Sequence, residues 1–218
     1  MNTGIPDIPE LAGPRVRLRA FDARDVDALF SLYSDAQVMR YWSTPPWRER
    51  ARAVAHIERM QRERVEAEFY PWVATLDDDV LIGTCSLFAV NRAHARAEIG
   101  YALRSPWWGR GFAQEMLGLA LTHAFDAVGL NRIEADIDPG NIASCRLVER
   151  LGFTREGLLR ERWRVGGGVQ DTALYGLLAR EWHERSRVRG ADGLNITVDP
   201  ASAGMTRKST KAGMSRPS

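Results

Sequence analysis

The stretch AEIGYALRSPWWGRGFAQEML, residues 97–117, decides how the rest of the chain is read. Ala97 to Leu103 has strand character, and from about Gly111 the apolar residues take helical spacing through Val128. Between them lies Pro-Trp-Trp-Gly-Arg-Gly. A helix opens with backbone N–H groups that have no partner inside it, and its dipole puts partial positive charge there. Glycine lets that backbone come close to a ligand. Strand, glycine bend and helix together make an anion site suited to a phosphate or pyrophosphate. Arg110 is placed to add a charge-assisted contact. A tight turn before a helix is the plainer reading of the same residues. Two phosphate-binding motifs are excluded. A P-loop needs a lysine after its glycines, and no lysine precedes Lys208; a dinucleotide fingerprint needs a third glycine where Gln114 stands.

Outward from the bend, the chain reads as one domain with extensions. Its 218 residues are 44% hydrophobic and 27% charged, a globular composition. No run approaches the roughly 20 apolar residues of a membrane span. The N-terminus has no basic patch leading into an apolar core, so no secretory signal is read and a cytoplasmic location is expected. Cys85 and Cys145 stand 60 positions apart without metal spacing, which predicts free thiols. His56, His94, His123 and His183 are scattered, so no metal site and no histidine-based triad is expected. From residue 187 onward six basic residues face two acidic ones, which leaves 24 basic and 26 acidic residues in the first 186. The basicity belongs to this tail. The domain carries no nucleic-acid stripe.

The predicted organisation is an extension over 1–13, a domain over 14–186 and a basic, mobile tail over 187–218. Within the domain, Val16–Ala20 reads as a strand. Asp22 caps a helix through Ser34, with Asp25 as its first-turn acid. A second helix runs from Trp47 to Glu66. Strands follow at 68–76 and 80–90, turned by Asp77 to Asp79, and then at 97–103. After the helix from Gly111 come a strand near Asn131, a helix over 142–151 ended by Gly152, and strands at 154–165 and 169–178. The order β-α-α-β-β-β-α-β-α-β-β predicts a mixed α/β sheet in which one helix crosses between the strands near Ala97 and Asn131.

Residues 97–125, followed by GLNRIEADIDPGNIASCRLVERLGFTREG, closely resemble the GNAT superfamily of acetyltransferases, and within it the ribosomal-protein N-terminal (RimJ/RimL-type) branch. The likeness spans roughly residues 14–183. The family's pyrophosphate motif, Q/R-x-x-G-x-G/A, falls on Trp108-Gly109-Arg110-Gly111-Phe112-Ala113, with Trp108 in the place of Gln or Arg. The block from Asn141 to Gly157 (N-x-x-S, then L-G-F-x-x-E-G) is the more specific of the two. The resemblance implies an α+β fold: a mostly antiparallel sheet of six to seven strands, about four helices, and acetyl-CoA in a cleft between splayed strands. It implies that backbone N–H groups from Gly109 to Gln114 hold the pyrophosphate of coenzyme A. It also implies that the pantetheine arm pairs with the edge of Ile99, Gly100, Tyr101 and Leu103.

The implied reaction moves an acetyl group from a thioester to an amine. The amine must lose a proton, the oxyanion needs a donor and the thiolate needs a proton. By resemblance Glu98 is the candidate base, working through water, or else an ion-paired strand residue. Ser144 is the candidate acid toward the thiolate, or helix packing; Tyr101 is another acid or packing. Backbone N–H groups from Ile99 to Tyr101 would serve the oxyanion. Asn141 binds the coenzyme or caps its helix. Tyr41, Trp42 and Trp47 wall the acceptor cleft or pack the core, and the loop over 164–171 borders the cleft; Trp163 and Trp182 are assigned to structure. Glu134 and Asp136 share one face of a strand, where they draw a cationic amine or pair with arginines such as Arg132. The acceptor is expected to be a protein N-terminus, with an aminoglycoside, polyamine or amino acid as the alternative and a catalytically silent CoA-binding protein as a third reading. The basic tail invites a weak ribosome or RNA contact. A monomer and a homodimer are equally open.

Overall fold

The computed structural model describes residues 8–66 and 69–191. Eight strands form one sheet: β1 (Leu11–Ala12), β2 (Arg17–Arg19), β3 (Tyr70–Thr75), β4 (Leu81–Asn91), β5 (Arg96–Leu103), β6 (Arg132–Ile137), β7 (Thr154–Val165) and β8 (Gly168–Leu178). Five helices flank it: α1 (Val26–Ser34), α2 (Ala51–Glu66), α3 (Phe112–Thr122), α4 (Ile142–Leu151) and α5 (Ala179–Ala191). The strand order is β1-β2-β3-β4-β5-β6-β8-β7. Every neighbouring pair is antiparallel except β5 and β6, which α3 connects.

The expected architecture holds, with two additions. The two-residue β1 pairs with β2, and Ile8 and Leu11 are buried in the core, so residues 8–13 belong to the domain. Helix α5 carries the chain through Ala191 and buries Trp182 against Phe125. The rest of the expected tail, 192–218, lies outside the described residues. Among those described, no helix is long and apolar enough to cross a membrane.

Local chemistry sets the element ends as read. Asp22 accepts from the Arg24 N–H while Asp25 accepts from the Asp22 N–H, a reciprocal capping box. Here the first turn is a 3-10 turn, and α2 starts at Ala51, past the prolines. Gly152 ends α4 at φ +106.

Strand alternation sorts the sheet into two cores. On one face Ala97, Ile99, Ile133, Ala135 and Ile137 pack with Met116 and Leu117 of α3 and Leu147 and Val148 of α4. On the other, Val73, Leu81 and Ala102 pack with Leu29 and Leu32 of α1 and Ile57 and Met60 of α2. Residues at even positions of β5 and β6, Glu98, Glu134 and Asp136 among them, therefore face α1 and α2.

Candidate active site

The site is built where β5 and β6 part. Their register holds for three pairs only: Arg96 with Arg132, Ala97 with Ile133 and Glu98 with Glu134. Beyond Glu98, β5 stays paired with β4 as far as Leu103 with Gly83, while β6 continues along β8 to Ile137 with Ala173. Arg104 N–H donates to Ile82 O on β4. In an antiparallel ladder the amides alternate in direction, so Ala102 and Gly100 also address β4. Tyr101 and Leu103, with the Ile99 carbonyl, then turn their groups into the gap; the Ile99 N–H still belongs to the β5–β6 ladder, where the Glu98–Glu134 pair sets it on the Glu134 carbonyl. This refines the expected edge: the Gly100 amide belongs to the ladder. The Leu103 carbonyl is already taken by the Trp108 indole N–H at 2.7 Å. The Ile99 carbonyl and Tyr101 are left to pair with an extended, amide-bearing arm.

The glycine bend closes one end of the gap. Gly109 and Gly111 have φ of +71° and +81°, a backbone region that suits glycine. Glu115 N–H makes the first bond back, to Gly111 O, at 3.2 Å. The N–H groups of Phe112, Ala113 and Gln114 precede it at the positive end of α3. Arg110 lies over the rings of Trp107 and Phe112, 5.0 and 5.5 Å from their centroids. A second guanidinium, that of Arg15, covers Phe112 and donates to the Arg110 carbonyl at 3.1 Å. Glu115 fixes Arg15 by accepting from both its backbone N–H and its Nε. Sequence reasoning missed Arg15, which comes from the far end of the chain and carries no local signal. The bend fits a pyrophosphate: bare backbone, oriented amides and two cations.

A cleft of about 660 Å³ runs through the gap and opens on both faces. Toward α4 it is lined by Tyr101, Asn141 and Ser144. Tyr101 and Ser144 hydroxyls lie 2.5 Å apart. Burial pushes the Tyr101 phenol well above its ordinary range, so it stays protonated at neutral pH. Asn141 caps α4, accepting from the Ser144 N–H at 3.1 Å, and faces the cleft as well.

Toward α1 and α2 the cleft is lined by Glu98 and Asp136, by Tyr33, Tyr41, Trp42 and His56, and by Trp163 and Thr172. The Glu98 carboxyl is raised above its usual range by burial first, then by the charges of Glu134 and Asp136. His56 is driven down to about 4 by burial and by Arg59 and Arg52, so it is neutral at pH 7.

Glu134 and Asp136 share a face but not a role. Glu134 pairs with Arg132 at 2.8 Å and Arg96 at 3.2 Å, and it does not line the cleft. Asp136 accepts from the Thr172 hydroxyl and looks into the cleft.

Tyr41 and Trp42 line the cleft. Trp47 does not; it is buried between Tyr33 and His56 and walls a neighbouring depression with Arg52 and Arg59. Trp163, assigned to structure from the sequence, is 39% exposed and lines the cleft. Gln170 and Asp171, expected in a loop over 164–171 but found on β8, do so too. Cys85 and Cys145 are free and buried. No metal-binding cluster occurs among the described residues.

The geometry has relatives. A family profile described as an acetyltransferase (GNAT) domain matches residues 15–154. The uncharacterized N-acetyltransferase p20 of Bacillus licheniformis is 33% identical over 169 residues, covering 77% of this chain and 95% of that one. A spermidine N(1)-acetyltransferase of Vibrio cholerae is 26% identical over 172 residues, covering 79% and 98%. The solved structure of Mycobacterium smegmatis RimJ in complex with CoA-disulfide superposes with a TM-score of 0.71 at 28% identity, covering 84% of this chain and 93% of that one.

Proposed function

The chain belongs to the GNAT family of acetyltransferases and is an N-acetyltransferase that uses acetyl-CoA; from that premise we propose that its acceptor is the α-amino group of a peptide or protein N-terminus, as in the ribosomal-protein branch. The observation that carries the reading is the two-faced gap. The phosphate bend and the Tyr101–Ser144 pair lie on one side of β5, and Glu98 faces the other. An acyl donor and an amine entering from opposite faces meet at the parting of β5 and β6, which suits direct attack in a ternary complex.

Acetyl-CoA supplies an activated acyl thioester. The chain supplies the rest. The amides at the start of α3, with Arg15 and Arg110, hold the phosphates. The Ile99 carbonyl and Tyr101 hold the arm along the open edge, and the Tyr101 N–H is placed to stabilise negative charge on a carbonyl lying there. Glu98 receives the proton of the amine, directly or through water. Tyr101, still protonated and tied to Ser144, returns one to the sulfur.

The walls of the cleft favour an acceptor with one ammonium. Asp136, Asp138 and Asp171 lie on the β6 and β8 side, whereas the α2 side is aromatic and carries Arg59, with Arg52 in the adjoining depression. A polyamine would bring a second cation toward those arginines. The polyamine reading keeps its own support in Asp138 and Asp171 and in the likeness to a spermidine acetyltransferase.

Thiol release from acetyl-CoA, measured with short peptides bearing free Ser, Ala or Met N-termini and with spermidine, spermine and kanamycin, separates the readings. The expected result is a kcat/KM for at least one peptide about tenfold or more above the others. Preference for spermidine would overturn the acceptor while leaving the acetyl transfer in place.

A further inference from the structure

Asp136 is the one of two neighbouring carboxylates on β6 that the fold turns into the acceptor side of the cleft. Its Oδ1 accepts from the Thr172 hydroxyl, and the Trp163 indole N–H lies 3.1 Å from Thr172 Oγ1 and 3.4 Å from Asp136 Oδ1. These contacts fix the carboxylate without neutralising it. Among the described residues its other oxygen, Oδ2, has only the Arg162 Nε, at 4.0 Å. That is beyond hydrogen-bond reach. The Arg162 guanidinium also lies over the Trp163 ring, 5.5 Å from the centroid. Arg162 sits in a break of the β7–β8 register between Leu159 and Trp163, beside Glu161 at φ +52. Its side chain is 52% exposed. A long, half-solvated side chain on a bulge thus rests its cation against a carboxylate and an aromatic face that are both held in place.

We propose that Asp136 and the face of Trp163 form the subsite that receives the protonated amine of the acceptor, and that Arg162 occupies this subsite until the acceptor displaces it. The inference rests on the acetyl-transfer reading only in requiring a primary-amine acceptor. Seated there, an ammonium lies on the same face of the sheet as Glu98. One proton passes from the ammonium nitrogen to the Glu98 carboxylate, leaving the nitrogen lone pair free to attack. Asp136 thereby selects the charged form of the amine, and Glu98 converts it. The charged groups around Glu98 are Glu134 and Asp136 on β6, Arg96 on its own strand and Arg162 on β7, with Arg59 and the neutral, titratable His56 across the cleft on α2.

The test uses the full-length protein, with Asp136→Asn and Arg162→Ala beside the wild type. Asn keeps an oxygen for the Thr172 hydroxyl, so the substitution removes charge and spares the fold. Carboxyl carbon NMR follows Glu98 through a pH titration and through addition of n-butylammonium chloride. The expected Glu98 midpoint falls in D136N and rises in R162A, because one loses a nearby anion and the other a nearby cation. Butylammonium should bind at least about threefold tighter to R162A than to the wild type, and about tenfold more weakly to D136N. In turnover with a peptide or with spermidine, D136N should raise the acceptor KM about tenfold with kcat little changed. An unmoved Glu98 midpoint in D136N overturns the proposal. So does weaker butylammonium binding in R162A, which would make Arg162 a partner of the acceptor. If no amine turns over, the acceptor reading fails while the NMR outcomes still decide the subsite.

Discussion

The hydroxyls of Tyr101 on β5 and Ser144 on α4 meet at 2.5 Å across the mouth of the gap. The two residues come from the two separate sequence blocks that carry the family resemblance, so this contact joins them on the wall of the cleft. Either oxygen can donate, and burial raises the phenol well above its ordinary range, so it is protonated at neutral pH.

Removing that proton source should slow chemistry without weakening coenzyme binding. Tyr101→Phe is expected to lower kcat about 10²-fold or more, within the range of a lost general acid. Ser144→Ala should cost less, because Tyr101 retains its hydroxyl. Acetyl-CoA affinity, measured by calorimetry, should change little in both. Equal kcat in Y101F and wild type would remove Tyr101 from the reaction.

Glu98 should shape the pH profile. Its carboxyl titrates above the usual glutamate range, so wild-type kcat/KM should rise as Glu98 ionises and then stay level to about pH 8, where an α-amine loses its own proton. In Glu98→Gln the early rise disappears. The profile should instead climb steadily with the fraction of neutral amine up to about pH 8. Superimposable profiles over pH 5 to 9 would exclude Glu98 as the proton acceptor.

Gly111 tests the phosphate bend. Gly111→Ala probes backbone strain alone, about 1–2 kcal/mol at its φ of +81. Gly111→Glu adds negative charge beside the α3 amides, where the nearest side-chain atom to a new Cβ is the Arg15 Nη2 at 3.4 Å. Acetyl-CoA binding should weaken about a hundredfold in G111E relative to G111A. Equal affinities for the two variants would place the phosphates elsewhere.

Stability should depend heavily on a buried pair remote from the site. Arg19, 6% exposed, and Asp25, 3% exposed, are joined by two hydrogen bonds of 2.8 Å, and Arg19 Nε also reaches Asp79. Asp25→Ala leaves the buried guanidinium with the partly exposed Asp79 and the Ala20 carbonyl, and removes the acceptor for the Asp22 N–H. A loss of about 3–5 kcal/mol in urea unfolding is expected. A loss below about 1 kcal/mol would mean that solvent reaches Arg19.

Much of this fold is legible in the sequence because its signals are local. Alternation marks β6, whose odd-numbered residues are all buried. Glycines mark the bend and the end of α4, and Asp22 with Asp25 marks the entry to the first helix. The elements not foreseen lack such signals. Two residues, Leu11 and Ala12, cannot show a period, and among the side chains described on α5 Trp182 is the buried anchor. Trp163 misled for a related reason: a tryptophan in a strand reads as packing, and only the register break on β7 brings it beside Asp136.

By itself the sequence determined the order of elements, the glycine bend and the shared face of Glu134 and Asp136, because backbone preference and side-chain alternation act over a few residues. The tertiary structure alone decided that β5 and β6 part after Glu98, and that Arg15 comes to the bend from nearly 100 residues away. It also separated two carboxylates of like chemistry, giving Glu134 to two arginines and turning Asp136 toward the cleft. Charge pairing and strand separation depend on which distant segments pack together, and that information is carried by no single stretch of the chain.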